Sequence, residues 1–294
     1  MSRAVSEFLA FIEFEKRYSI HTLLSYKNDL EQFSNFFKKE TNSENISEAS
    51  HFHIRNWMVH LMQTDVGARS ISRKISTLKS FYKFLIRKGV ISKSPMGKIQ
   101  SPKIKKRLPS FVEDSGMTRL FRDVEFTDDF NGWRDQCILA LLYATGIRRS
   151  ELLGLSIQDI DFNRLQIKVL GKGNKERIIP ITADMGQQLK DFIKIREMQS
   201  AAGSHVFIME NGAVMKPHTL YNLVKKYLSQ VTTIEKKSPH VLRHTFATHL
   251  MNNGADINAV KELLGHSSLA ATQVYTHNTI EKLRNIYKQA HPRA

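Results

Sequence analysis

The sequence predicts a mainly α-helical chain with one small antiparallel β-sheet, divided into two domains, and three observations carry that expectation. Apolar residues recur three and four positions apart through most of the 294 residues, as they do on the buried face of an amphipathic helix. Alternation of β-branched residues stands out in LQIKV (165–169) and ERIIPIT (176–182), with GKGN at 171–174 between them as a hairpin signal. From Ser94 to Phe111 three prolines and a run of lysines replace any helical period, which reads as an extended connector. The expected organisation is a helical domain over 1–98, a basic linker over 99–110 and a second domain over 111–294.

A first helical pattern covers Arg3 to Ile12. Ser19 is placed to cap the second, in which Leu23, Tyr26, Leu30, Phe33 and Phe37 share a face. Polar TNSENISEAS interrupts the pattern, and HIRNWMVHLMQT resumes it with Ile54, Trp57, Met58 and Leu61. In SISRKISTLKSFYKFLIRKG, Ile71, Ile75, Leu78, Tyr82 and Leu85 fall on one arc and Arg69, Arg73, Lys79, Lys83 and Arg87 on its neighbour, with Gly89 as the stop. The second domain brings NGWRDQCILALLYATG, a helix whose Trp133, Ile138, Leu141 and Leu142 are expected deep in the core and which Gly146 ends. The β-hairpin presents Lys172 on its turn. LKDFIKIREMQ reads as a helix, VFIM as a short strand, and TLYNLVKKYLSQV as a helix leading into SPHVLRHTFATHLMNNGADINAVKELLGHSSLAATQVYTHN. TIEKLRNIYKQA closes the chain as an amphipathic helix.

Forty-four Lys and Arg against 28 Asp and Glu leave a formal charge of +16, which favours a polyanionic partner over an acidic or neutral one. Between Arg69 and Arg107 thirteen residues are basic and none is acidic. A solvated face normally mixes signs, so a one-sign run points to nucleic acid. The residues expected to contact DNA are Arg69, Arg73, Lys74, Lys79, Lys83, Arg87, Lys103, Lys105, Lys106 and Arg107. Cys137 lies in an apolar run and reads as a small buried hydrophobe, in keeping with a reducing cytoplasm. No stretch approaches the roughly 20 apolar residues of a membrane span and the N-terminus lacks the pattern of a signal peptide, so the expected location is the cytoplasm, with no membrane partner.

The chemistry is expected where basic groups gather before a tyrosine. His240, Arg243, His244 and His249 share one helical run, His266 follows a Leu-Gly turn, and Tyr275 stands beyond it. No acidic cluster accompanies the imidazoles, His240 and His244 lack the glutamate of HExxH and no cysteine is nearby, so no metal is expected. Singly, each residue has an ordinary reading. Arg148 could pair on the surface with Glu151 or Asp135, Lys172 could be an exposed turn lysine, Tyr275 a half-buried core residue, and His249 and His277 structural or helix-end residues. Together, Arg148, Lys172, His240, Arg243, His266 and Tyr275 are what a metal-free phosphodiester cleavage needs. DNA has no 2′-hydroxyl, so the protein must supply the nucleophile, and a tyrosine does so while conserving the phosphate bond. Two arginines hold the non-bridging oxygens and offset charge in the transition state. Ionising a tyrosine at neutral pH costs roughly 4 kcal/mol, whereas the departing alkoxide is about five pKa units more basic than phenolate. The general acid therefore matters more than the base. Lys172 is expected to be that acid, His240 to accept the tyrosine proton and His266 to bond the phosphoryl oxygen.

ATGIRRSELLGL, GKGNKERIIPI, PHVLRHTFATHL and LLGHSSLAATQVYTH resemble the signature segments of the tyrosine recombinase (phage integrase-like) family, and the bacterial Xer recombinases match best within it. RYSIHTLLSYKNDLEQFSNFF and SISRKISTLKSFYKFLIRKG resemble its SAM-like core-binding domain, so the likeness covers nearly the whole chain. By position it implies Arg148, Arg243, Lys172, His240 and His266 as the catalytic set, Tyr275 as nucleophile and Glu151 as a supporting acid that orients the site. LAAT stands where Xer proteins more usually carry a Thr-rich segment. The resemblance implies a two-domain clamp on double-stranded DNA, a 3′-phosphotyrosyl intermediate, a Holliday junction, and no cofactor, neither ATP nor metal. It also implies a homotetramer, or a heterotetramer with a sister recombinase, on two sites, with TIEKLRNIYKQA docking in trans and a DNA translocase among the partners. The role implied is resolution of chromosome or plasmid dimers. A mobile-element integrase or invertase, a relaxing topoisomerase or phosphodiesterase, and a non-catalytic DNA-binding protein remain as alternatives.

Overall fold

Residues 2–103, 110–171, 176–199 and 203–265 are described by the structure, a computed structural model, and the chain falls into two units, Met1–Arg107 and Leu108–Ala294. The first unit holds helices α1 (Arg3–Ala10, continued by a π-helical turn over Phe11–Glu15), α2 (Ile20–Thr41), α3 (His51–Gln63) and α4 (Ala68–Arg87). Ser19 Oγ accepts the Thr22 amide at the head of α2, the cap its sequence promises. Phe8, Phe33, Trp57, Ile75, Leu78 and Tyr82 lie in the core, with the Phe33 and Trp57 rings 5.0 Å apart. The Tyr82 hydroxyl donates to the Ile46 carbonyl at 2.7 Å.

One cation of α4 departs from expectation. Lys74, expected to contact DNA, is only 5% exposed. Its Nζ donates to Asp29 Oδ1 at 3.0 Å and to Gln32 Oε1 at 2.5 Å. Asp29 on α2 is fully buried and also accepts Thr77 Oγ1 at 2.9 Å and the Arg73 guanidinium. A carboxylate inside a helical unit needs a countercharge, and Lys74, one position round the helix from Arg73, supplies it.

The second unit contains α5 (Asp114–Arg122), α6 (Phe130–Thr145), α7 (Arg149–Leu153), the strands β1 (Ile160–Asp161), β2 (Gln166–Leu170) and β3 (Glu176–Pro180), and then α8 (Ala183–Glu197), α9 (Pro217–Val231), α10 (Pro239–Asn252) and α11 (Ile257–Leu264). Helix α6 is central. It is buried from Cys137 through Thr145 and packs on α8 and α10. Trp133, expected in the core, is instead 44% exposed, with its indole N–H donating to Asp128 Oδ1 at 3.1 Å. It sits in the first turn of α6 on the outward face, while Phe130 and Gly132 of the same turn are buried.

The strands form one antiparallel sheet in the order β1-β2-β3. Ile167 pairs with Ile179 and Val169 with Arg177, and these four side chains are buried. VFIM does not become a strand. Val206, Phe207 and Ile208 are buried, but the backbone is held by scattered bonds, Val206 N–H to the Leu155 carbonyl and a single bridge between Ile208 and Val214, rather than by a ladder. Among the described residues no helix is long and apolar enough to cross a membrane.

Candidate active site

Three arginines from three elements converge on the end of α11, and two of them share one carboxylate. Gly146 ends α6 in the left-handed region, φ 57°, where a side chain would be strained. A Cβ there would also lie 2.5 Å from the Phe246 ring. That turn delivers Arg148 as the N-cap of α7. Three residues on, Glu151 reaches back: its Oε2 accepts the Arg148 amide at 2.8 Å and its Oε1 accepts Arg148 Nη1 at 2.7 Å. A carboxylate at a helix N-terminus satisfies an orphan amide and the helix dipole together.

Glu151 is 5% exposed, and a second arginine balances it. Arg177 on β3 donates through Nη1 to Oε1 at 2.5 Å and through Nη2 to Oε2 at 2.8 Å. Burial alone would push the Glu151 carboxyl up; the bonds and charge of Arg177, then those of Arg148, outweigh it and hold the carboxyl below its ordinary value. Arg243 on α10 is the third guanidinium. It donates to the Gly146 carbonyl at 2.5 Å and to the Leu264 carbonyl at 2.6 Å. Arg148 Nη2 takes the next carbonyl, that of Gly265, at 2.6 Å, and Arg177 Nε the preceding one, Leu263, at 3.3 Å. The last carbonyls of a helix lack intrahelical partners and carry partial negative charge, so the end of α11 is a natural seat for the cluster. Burial, then repulsion from Arg148 and Arg177, lowers the Arg243 pKa, while Glu151 opposes that shift. Guanidinium remains charged at neutral pH.

His240 is the second residue of α10, directly after Pro239 at its first position. The ring is exposed. Lost hydration on its inner side, followed by the charges of Arg149 and Arg243, holds its pKa below the usual histidine value. A neutral imidazole accepts a proton, which suits the role expected of it. His244 is likewise lowered, by burial. His249 is structural, as the sequence suggests: it is 1% exposed, with Nδ1 2.9 Å from both the Tyr143 hydroxyl and Asp114 Oδ1.

The sequence-predicted set is thus brought together at Arg148, Glu151, His240 and Arg243. Lys172, His266 and Tyr275 lie outside the described residues, as do Lys105, Lys106, Arg107, His277 and TIEKLRNIYKQA. Arg69, Arg73, Lys79, Lys83, Arg87 and Lys103 are exposed, Arg73 while also paired with Asp29. Arg177 was not singled out by sequence reasoning, although a signal for it exists. Alternation on β3 places it on the same face as Ile179, and a buried arginine requires an acid nearby.

The family described as the phage integrase family matches residues 116–282, and its N-terminal SAM-like domain matches residues 5–89. The chain is 36% identical to a protein named tyrosine recombinase XerC from Chlorobaculum tepidum, over 99% of this chain and 95% of that protein. It is 38% identical to a XerC from Oceanobacillus iheyensis over 99% and 96%, and 36% identical to a tyrosine recombinase XerD from Staphylococcus haemolyticus over the full length of both. Among solved structures, the Tn1549 transposon integrase in complex with transposon right end DNA superposes with a TM-score of 0.72 at 20% identity, covering 96% of this chain and 98% of that one. The XerH recombinase bound to palindromic difH substrate gives 0.70 at 19%, covering 98% and 82%; at such identities these two speak for the fold. The chain belongs to the phage integrase family, the tyrosine recombinases. Within that family it is a Xer-like site-specific recombinase, an enzyme that cleaves and rejoins DNA.

Proposed function

We propose that the arginine cluster at the end of α11 is the phosphate clamp of this recombinase, with Arg148 and Arg243 holding the scissile phosphate of a double-stranded DNA site. Tyr275 then attacks to leave a 3′-phosphotyrosyl bond, His240 takes the tyrosine proton, Lys172 protonates the departing 5′-oxygen and His266 bonds the phosphoryl group. The observation that carries this reading is that Arg148 and Arg243 donate to adjacent carbonyls, Gly265 and Leu264, so two separately supplied guanidiniums meet where His266 follows in the sequence. Both retain unused N–H groups for an anion.

The same reading has the exposed cations of α4 and the linker following the DNA backbone. It has four protomers, alike or mixed with a sister recombinase, acting on two sites in the cytoplasm, with TIEKLRNIYKQA as the contact in trans. Dimer resolution in chromosome partition at cell division is the role it fits, with a DNA translocase as a partner. Neither cofactor nor metal takes part. The test is exchange between two copies of the site on one plasmid, in EDTA and without ATP. The expected result is two recombinant circles; nicked or relaxed plasmid without exchange would contradict the reading.

A further inference from the structure

Arg177 is the best-connected side chain of the cluster, yet it has no place in the chemistry assigned above. Glu151 offers four acceptor positions, and all four are filled: Arg148 takes one on each oxygen through its amide and Nη1, and Arg177 takes the other two through its forked Nη1 and Nη2. The remaining Arg177 contact runs the other way, from Nε to the Leu263 carbonyl in the last turn of α11. Gly265 lies directly on its stem. A Cβ at Gly265 would sit 2.8 Å from Arg177 Cδ, and the φ of +62° disfavours any other residue there. Arg177 is 4% exposed, so the phosphate of a bound duplex is out of its reach.

We propose that Arg177 is a positioning residue of the cleavage site: it fixes the Glu151 carboxylate that orients Arg148 and clamps the end of α11, from which the chain leaves toward His266. The inference rests on the reading of Arg148 and Arg243 as the phosphate clamp. The Arg148 guanidinium has two anchors, Glu151 and the Gly265 carbonyl, and Arg177 holds both. Without it, Glu151 loses half its donors and the α11 carbonyls lose one of the three guanidiniums seated on them. Misplacing a clamp by about 1 Å is enough to slow a reaction roughly 10²-fold. β3 is also the strand that follows Lys172 in the sequence, so the same side chain ties that strand to the arginine site.

The position has a second consequence, on pH. Glu151 is faced by Arg148 at the head of its own helix, Arg177 on β3 and Arg243 on α10, and α11 presents carbonyls; among the described residues no side chain of α9, which also packs on α7, bonds it. Burial raises the Glu151 pKa and Arg177 is the foremost group lowering it. Replacing Arg177 with a neutral residue therefore raises that pKa, and cleavage is lost as pH falls through the raised value.

The experiment measures covalent adduct formation by full-length wild type, R177Q and R177K. The probe is a nicked duplex cut from the genomic segment at which the wild type leaves adducts, and thermal unfolding and duplex affinity are measured in parallel. For R177Q the expected result is duplex affinity within about threefold of wild type, adduct formation slowed about 10²-fold, and an acid limb of the pH profile displaced to higher pH. R177K keeps the charge but not the fork, and is expected to lose about tenfold with its acid limb near that of wild type. Lost stability with an unmoved limb and an unchanged cleavage rate is the mark of a purely structural arginine and overturns the proposal. Should R177Q fail to fold, R177K decides: a wild-type rate overturns the proposal and a tenfold loss at unchanged affinity supports it. No adduct from the wild type itself overturns the clamp reading and the proposal with it, whereas adduct from wild type and R177Q alike overturns the proposal alone.

Discussion

Arg148, Arg177 and Arg243 lie far apart in sequence and end on three successive carbonyls, Leu263, Leu264 and Gly265. Two of the three are legible in the sequence, because ATGIRR and HVLRH place an arginine after a helix stop and within a run of imidazoles. Arg177 is harder to read, because a single arginine on a strand of a +16 protein resembles any surface cation unless the alternation of β3 is followed through to Ile179. His240 yields a prediction at this scale. It accepts a proton only when neutral, so cleavage falls as pH drops through its pKa, and the charge on Arg149 is among the causes holding that pKa down. Arg149→Gln should raise the pKa and move the acid limb of single-turnover cleavage to higher pH while leaving the rate on the plateau unchanged. An imidazole titration by NMR reads the same shift directly, and an unmoved His240 resonance would refute it.

Helix α4 shows what periodicity reveals and what it hides. Its apolar arc is buried as the spacing predicts, from Ile71 through Leu85, because a helical repeat reports the helix's own geometry. Lys74 was misassigned because the group that draws it inward, Asp29, belongs to α2, and no property of α4 alone discloses that. Trp133 errs in the opposite sense: a large aromatic beside an apolar run suggests burial, but it stands on the outward face of a turn whose Phe130 and Gly132 are buried. VFIM has the composition of a strand and lacks one for want of a continuous partner. The Asp29–Lys74 pair carries a stability prediction. Asp29→Ala leaves Lys74 charged and buried without its carboxylate, at a cost of about 3–5 kcal/mol, read as a lower urea midpoint. Replacing both, Asp29→Ala with Lys74→Met, should recover most of that loss; equal destabilisation in the single and double variants would show that the pair is not what Asp29 serves.

At the scale of the whole molecule, the proposed reading gives the exposed cations of α4 and Lys103 to a polyanion, whereas Lys74 is spent on Asp29, and Arg148, Arg177 and Arg243 on Glu151 and the end of α11. Only the exposed group should govern how duplex affinity responds to salt. Lys79→Gln should reduce the slope of log affinity against log salt by about one, and Lys74→Gln should leave the slope unchanged, both read by fluorescence anisotropy. A fall in slope with Lys74→Gln would mean that Lys74 reaches phosphate after all. The family was readable from sequence, since the signature segments span the chain. The register of the sheet was not, because which face of β3 turns inward depends on what β2 and α11 set against it.

Mass-spectrometric mapping of the covalent adduct on a nicked duplex tests most directly whether Arg148 and Arg243 form a clamp serving Tyr275. The expected result is a 3′-phosphonucleotide on the peptide containing Tyr275, a free 5′-hydroxyl on the released strand, no adduct with Tyr275→Phe, and a loss of at least about 10²-fold with Arg243→Ala. An adduct on another residue, or an Arg243→Ala variant that cleaves at the wild-type rate, would contradict it.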